Sequence, residues 1–270
     1  MWGRLTPVCS DPLNRGPLIG CFGSKTRLVM ALFQRTLHRR HKLLRHDGLE
    51  QVLGDLVTHG GPGVLEVGVA RHDDDVDLRA PAAELGGLGL QCDVADAVAV
   101  ETMVRAAEAH YGRIDVLVSN AGFGAQSLDL DDALSAPDAT WQRMWDVHVM
   151  AHARACRAAL PGMLARGSGC LVNVASAAGV LSQVGDTPYS VTKHAAVGLA
   201  ESLAITYGDR GIQVAVVCPQ YVATAITGLD ESTAPGTLPG VLTVEQAASA
   251  IADGIEAGGF LILTHPEVLG

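Results

Sequence analysis

No apolar run in the 270 residues approaches the ~18 needed for a membrane span, and the amino terminus lacks the charged-then-apolar pattern of a secretory signal. Neither a membrane partner nor export is therefore expected. Positive charge is scarce as well: 19 Lys and Arg stand against 29 Asp and Glu, a formal charge of −10. That balance argues against a nucleic-acid or anionic-surface partner for the body of the protein. The six cysteines (Cys9, Cys21, Cys92, Cys156, Cys170, Cys218) contain no Cys-x-x-Cys pair, and several lie in apolar contexts. Buried reduced thiols in a cytoplasmic protein are the expectation. Half of the ten histidines fall before residue 80 without ligand spacing to acids or thiols, so no metal site is expected.

With 48% hydrophobic residues the chain can bury one large α/β core, and nothing demands a second domain. Charge is unevenly spread: residues 1–80 carry 11 Lys and Arg against 9 Asp and Glu, residues 81–270 carry 8 against 20. Residues 1–62 stand apart as an atypical basic segment, and 63–270 as the domain. Within the first segment, Gly16 to Gly23 reads as a plain loop. Ser24 to His46 fits a basic amphipathic helix through Val29, Phe33 and Leu37. Its composition also suits a transit peptide or surface-binding arm, and an altered reading frame or start site accounts for the same Arg and His excess. From Gly63 the pattern changes. Val64–Ala70 reads as a strand ending at Arg71-His72-Asp73, and Leu88–Cys92 as a short strand ending in Asp93-Val94. Asp96 then caps a helix through Tyr111 whose inward face is Val100, Met103, Val104 and Ala107.

The most chemically suggestive stretch is Tyr189-Ser190-Val191-Thr192-Lys193. Four-residue spacing on a helix puts phenol and ammonium on one face, and Thr187-Pro188 supplies an N-cap and first-turn proline. A cation beside a phenol favours proton exchange at its oxygen. Upstream, Cys170–Ala175 reads as a buried strand ending in Ser176, and Ile114–Ser119 as another that runs into Asn120-Ala121-Gly122. Downstream, Ile212–Cys218 is a third, running into Pro219. Thr140 caps a long helix from Trp141 to about Arg166 with Met144, His148, Ala151 and Ala155 on one face. Thr243 and Gln246 open a helix through Glu256 with a capping box, and Phe260–His265 reads as the last strand.

In this order and at these spacings the motifs resemble the short-chain dehydrogenase/reductase family. The resemblance implies a doubly wound, mostly parallel Rossmann-type sheet with helices on both faces. It implies an oxidoreductase that interconverts a small-molecule alcohol and a carbonyl with NAD or NADP. Ser176 would bond the substrate oxygen, Tyr189 transfer the proton, and Lys193 lower the tyrosine pKa and bind the nicotinamide ribose. His148 stands where the family usually has an asparagine beside a helix kink and a bound water; it either carries a proton or is a satisfied core residue. Asp93 and Val94 match the adenine contact, and Asn120, Ala121 and Gly122 the turn beside the cofactor. Tyr189, Lys193, Pro219, Val222 and Thr224 match the nicotinamide side, with Gln220 where a glycine is usual.

The resemblance also implies a homo-oligomer formed by the helices carrying His148 and Lys193, the latter with a small-residue outer face of Ala195, Ala196, Gly198 and Ala200. Residues 228–240 match a substrate loop, and relatives continue past Gly270, so the domain is expected to be incomplete. The family's Thr-Gly-x-x-x-Gly-x-Gly turn, which brings backbone N–H groups to a pyrophosphate, has no match, so the N-terminal β-α-β unit is expected to be degenerate. That absence keeps a rival in view: a remnant or dimerising scaffold that binds no nicotinamide.

Overall fold

The computed structural model describes residues 18–21, 88–90, 92–124, 129–224, 227 and 240–269. The expected helix at 24–46, the strand at 64–70, the residues where a glycine turn was sought and nearly all of the 228–240 loop lie outside them. Among the described residues, five parallel strands lie side by side in chain order: β1 (Leu18–Cys21), β2 (Val116–Ser119), β3 (Gly169–Val174), β4 (Ile212–Cys218) and β5 (Leu261–Leu263). Parallel neighbours need crossovers, and helices supply them. α1 (Ala97–Tyr111) precedes β2, and the next crossover combines α2 (Asp138–Trp145), a π-helical turn (Asp146–Met150) and α3 (Ala151–Arg166). α4 (Thr187–Tyr207) leads to β4 and α5 (Val244–Glu256) to β5.

The two-residue period of a strand explains why both faces are covered. Leu117, Leu171, Val214 and Val216 point to one side, where they join Val104 of α1, Leu160 of α3 and Ala200 of α4. Val118, Val172, Ala215 and Val217 point to the other and pack on Val244, Ala248 and Ile251 of α5. Cys92, Cys156, Cys170 and Cys218 are buried, reduced thiols. Burial pushes Cys92 and Cys156 up to about 12, so both stay protonated at neutral pH.

Several local expectations hold. Asp96 caps α1 through bonds from Val98 and Ala99 N–H, and its buried face is the one expected. Thr243 and Gln246 form a complete capping box. Others require correction. Leu18–Cys21, read as loop, is a strand paired with Val116–Ser119, so four residues of the 1–62 segment belong to the domain's sheet. A ladder needs backbone groups from few residues, and four are too short a run to show a period. Conversely, residues 88–90 and 92 are not in a strand; Leu88, Leu90 and Cys92 pack on the core, but their backbone joins no ladder.

Cap positions shift too. The long helix begins at Asp138 behind Pro137, placing Thr140 inside its first turn. α4 is capped by Asp186, whose carboxylate accepts from Tyr189 N at 3.2 Å, and Thr187 becomes the first helical residue. Ala196 and Ala200 are fully buried, three and seven residues past Lys193 on the same inward stripe. Their small size lets α4 approach its own sheet rather than a partner.

The turn from α4 into β4 depends on Gly211, which sits at φ 82° with its missing Cβ directed at the Gly167 carbonyl oxygen. Gly112 ends α1 at φ 81° with open space around the same position. Alanine at Gly112 carries only the left-handed strain, about 1 kcal/mol, whereas alanine at Gly211 adds a backbone clash and costs about 2 to 4 kcal/mol in all. Urea unfolding of the two variants checks this; equal losses would contradict it.

Candidate active site

Ser176 is fixed at the carboxyl ends of β3 and β4. Ala175 N donates to Val217 O at 2.8 Å and Ala177 N to Pro219 O at 2.7 Å, so the chain leaving β3 stays laced to β4. Ser176 Oγ accepts from Ala178 N at 3.1 Å and so caps the short turn Ala177–Gly179. Its own contact with Pro219 O is long, 3.5 Å, which leaves the hydroxyl proton able to turn elsewhere. The turn packs against α4 at Gly179, where a Cβ would stand 2.8 Å from the Lys193 carbonyl oxygen. Glycine there sets the spacing between Ser176 and the helix that carries Tyr189 and Lys193.

Lys193 is 1% exposed, the largest of the fully buried side chains. Its Nζ donates to Val174 O at 3.3 Å and lies 5.7 Å from the centroid of the Tyr189 ring. A buried ammonium survives only with such partners close by. Gly122 makes room for it: a Cβ there would stand 3.2 Å from Nζ and 3.5 Å from the His148 ring. Tyr189, Lys193, His148 and Gly122 are thus brought together as the sequence motifs implied. Ser176 stands near both the Pro219 carbonyl and the Tyr189 phenol.

His148 sits in the π-helical turn, fully buried, with Nε2 3.1 Å from Phe123 N and Nδ1 2.8 Å from Thr192 Oγ1. Asp93 holds its own turn, accepting from Ala95 N at 3.0 Å, with the Arg143 guanidinium 3.6 Å away. Val94 and Ala121 line one small cavity with Ser119 and His152. Val222 and Thr224 lie in a tight turn closed by Thr227, whose hydroxyl donates to Val222 O at 2.9 Å, and Val222 bridges to Leu242.

Sequence reasoning missed three residues that the fold brings in. Thr192 bonds His148 from inside the Tyr-x-x-x-Lys stretch. Asn173, next to last in β3, is fully buried, and neither atom of its carboxamide has a hydrogen-bond partner among the described residues. His152, one turn past His148, is equally buried, with the Ala121 backbone the one polar group that acts on its ring from close by among the described residues. Burial first and the Lys193 charge second hold it down at about 3, against a weaker pull from the Ala121 backbone, so it is neutral. A buried asparagine in an apolar strand is the one of these signals that the sequence displays.

Burial also raises the Tyr189 phenol above its ordinary value; a bond from the Ser176 hydroxyl draws it back, and Asp186 and Cys218 push it further up. The Lys193 ammonium, the group expected to lower it, stands 5.7 Å from the centre of the ring. Cys218 is itself pushed up to about 11 by burial. A phenol raised on folding contributes stability that is fully present below pH 10 and lost as pH rises through its folded value. Alkaline difference spectra of the protein and its Tyr189→Phe variant are expected to show the missing phenol ionising above 10.0. Ionisation at or below that value would contradict the burial.

Residues 65–234 match the family model described as short chain dehydrogenase. The ketoacyl reductase of a monensin polyketide synthase from Streptomyces virginiae is 40% identical over 162 residues, covering 57% of this chain and 60% of that protein. Oxidoreductase UcpA from Salmonella typhimurium is 34% identical over 217 residues, 73% of this chain and 80% of that one. Among solved structures, a short chain dehydrogenase/reductase from Burkholderia phymatum in complex with NAD superposes with TM-score 0.70 at 22% identity, over 94% of this chain and 91% of the other. The fold, the matched span and the relatives agree: the chain belongs to the short chain dehydrogenase family.

Proposed function

We propose that this chain is an NAD(P)-dependent oxidoreductase interconverting a small-molecule alcohol and a carbonyl at Ser176, Tyr189 and Lys193. The observation that carries the reading is the buried Lys193 ammonium 5.7 Å from the centre of a desolvated Tyr189 ring, with the Ser176 hydroxyl drawing that phenol back down against burial. The site also fits a nicotinamide cofactor. Asn120 keeps a buried carboxamide with no partner among the described residues, and Gly122 leaves a side-chain-free face beside Lys193 and His148. Buried polar groups without partners are costly unless something bonds them. Asp93 and Val94 would hold the adenine end, Asn120, Ala121, Gly122, Tyr189 and Lys193 the central part, and Pro219, Val222 and Thr224 the nicotinamide end. The nicotinamide supplies the two-electron donor or acceptor that no side chain provides.

The chain's own residues then handle the proton. In the reducing direction the Ser176 hydroxyl, whose contact with Pro219 O is long, donates to the carbonyl oxygen. Tyr189, held protonated by burial, donates its proton to that oxygen as charge develops. The phenolate left behind is compensated by Lys193, whose buried charge acts without solvent screening. Oxidation runs the same path backwards. Tyr189→Phe removes the proton and keeps the ring, so turnover of model ketones is expected to fall about 10²- to 10⁴-fold with little change in melting temperature. A Phe variant of normal activity would remove the mechanism.

Fluorescence titration with NADH and NADPH tests the cofactor and chooses between the two. Binding of neither would favour the scaffold reading, which rests on the unmatched glycine turn in the sequence. Self-association belongs to the same proposal. On α4, a Cβ added at Gly198 would meet nothing within 4 Å, so Gly198→Glu leaves the protomer undisturbed. Light scattering is expected to show an oligomer that this variant breaks, and a monomeric unmodified protein would exclude it.

A further inference from the structure

His148 has two bonded nitrogens, and the partners fix which one carries hydrogen. Phe123 contributes a backbone N–H, which can only donate, so Nε2, 3.1 Å away, presents its lone pair. At the other nitrogen stands Thr192 Oγ1, 2.8 Å from Nδ1. The single hydroxyl proton of Thr192 is directed at α4's backbone, where Pro188 O lies at 2.8 Å and Tyr189 O at 3.1 Å, both acceptors only. Thr192 Oγ1 therefore accepts from Nδ1–H. One chain of bonds results: Phe123 N–H to Nε2, Nδ1–H to Thr192, and Thr192 O–H to the first turn of α4. Only the neutral Nδ1–H tautomer satisfies every link. Protonating Nε2 would set it against the Phe123 N–H, donor to donor, in a site with no exposure.

The bonds connect the two parts of the active site. Phe123 follows directly on Asn120-Ala121-Gly122, and Thr192 lies between Tyr189 and Lys193. The imidazole also meets the Tyr189 ring edge-on, centroids 5.6 Å apart at 87°, and Tyr189 and Lys193 are the titratable groups that α4 turns toward it. The π-helical turn, in which Ala151 N donates to Asp146 O, carries this ring at its centre.

We infer that His148 is a positioning residue, locked as the neutral Nδ1–H tautomer, that ties the Asn-Ala-Gly turn to α4 and so sets Tyr189 and Lys193 without carrying a proton. The activity part of this inference rests on the proposed oxidoreductase reaction; the tautomer does not. Long-range ¹H–¹⁵N NMR of the full chain, assigned by loss of signal in His148→Asn, is expected to show one histidine with protonated Nδ1 and bare Nε2 that does not titrate through the neutral range. A titrating ring, or hydrogen on Nε2, overturns the inference whether or not the protein turns over substrate.

In turnover assays His148→Ala and Thr192→Val are each expected to lower kcat about tenfold to a hundredfold with KM for the cofactor little changed. The double variant is expected to be no worse than the poorer single one, because both cut the same chain of bonds. His148→Asn can accept from Phe123 and donate to Thr192, so it is expected to recover most of the rate. Thr192→Ser keeps the hydroxyl and controls for packing. Additive losses, no rescue by asparagine, or a pH–rate limb that disappears in His148→Ala would overturn the positioning role.

Discussion

The buried ammonium of Lys193 is the constraint around which the site is arranged. A lysine 1% exposed needs its desolvation offset, and the Val174 carbonyl at the end of β3 provides one bond at 3.3 Å. That bond ties Lys193 to the sheet where β3 ends. Around it the backbone comes unusually close: Gly122 from the β2 turn and Gly179 from the turn after Ser176 both approach where any side chain would crowd Lys193. The same charge reaches its neighbours, drawing the Cys218 thiol down against burial and holding His152 neutral.

Because strands alternate sides, the sheet is buried on both faces and exposes chemistry only at its ends. Leu171 and Val172 are committed to opposite cores, and polar side chains appear instead just past the ends of β2 and β3, at Asn120 and Ser176. Crossover helices then place their first turns over those ends, which is why Tyr189 arrives at Ser176 from thirteen residues away in the chain. The capping carboxylate of Asp186 bonds Tyr189 N, so the signal that starts the helix also fixes the backbone of the residue that carries the phenol.

Much of this could be read before any coordinates. The helix caps at Asp96 and Thr243, the buried strand Ile212–Cys218 and the pairing of Tyr189 with Lys193 all rest on spacing within one element, and local geometry decides such features. The four-residue strand Leu18–Cys21 could not be read this way, because its place in the sheet comes from Val116–Ser119, almost a hundred residues later. Ala196 and Ala200 looked like an outer face for want of knowing which side of α4 Lys193 occupies, and the buried lysine turns that side inward.

The sequence by itself determined the residue types of the candidate site, their helical spacing and the order of strand, turn and helix, since each follows from a few neighbouring side chains and the fixed geometry of the backbone. Tertiary structure alone decided how His148 is bonded. Its two nitrogens are assigned by a backbone N–H 25 residues upstream and a hydroxyl 44 residues downstream. Hydrogen-bond roles in a buried site are set by every partner at once, and no local pattern contains them.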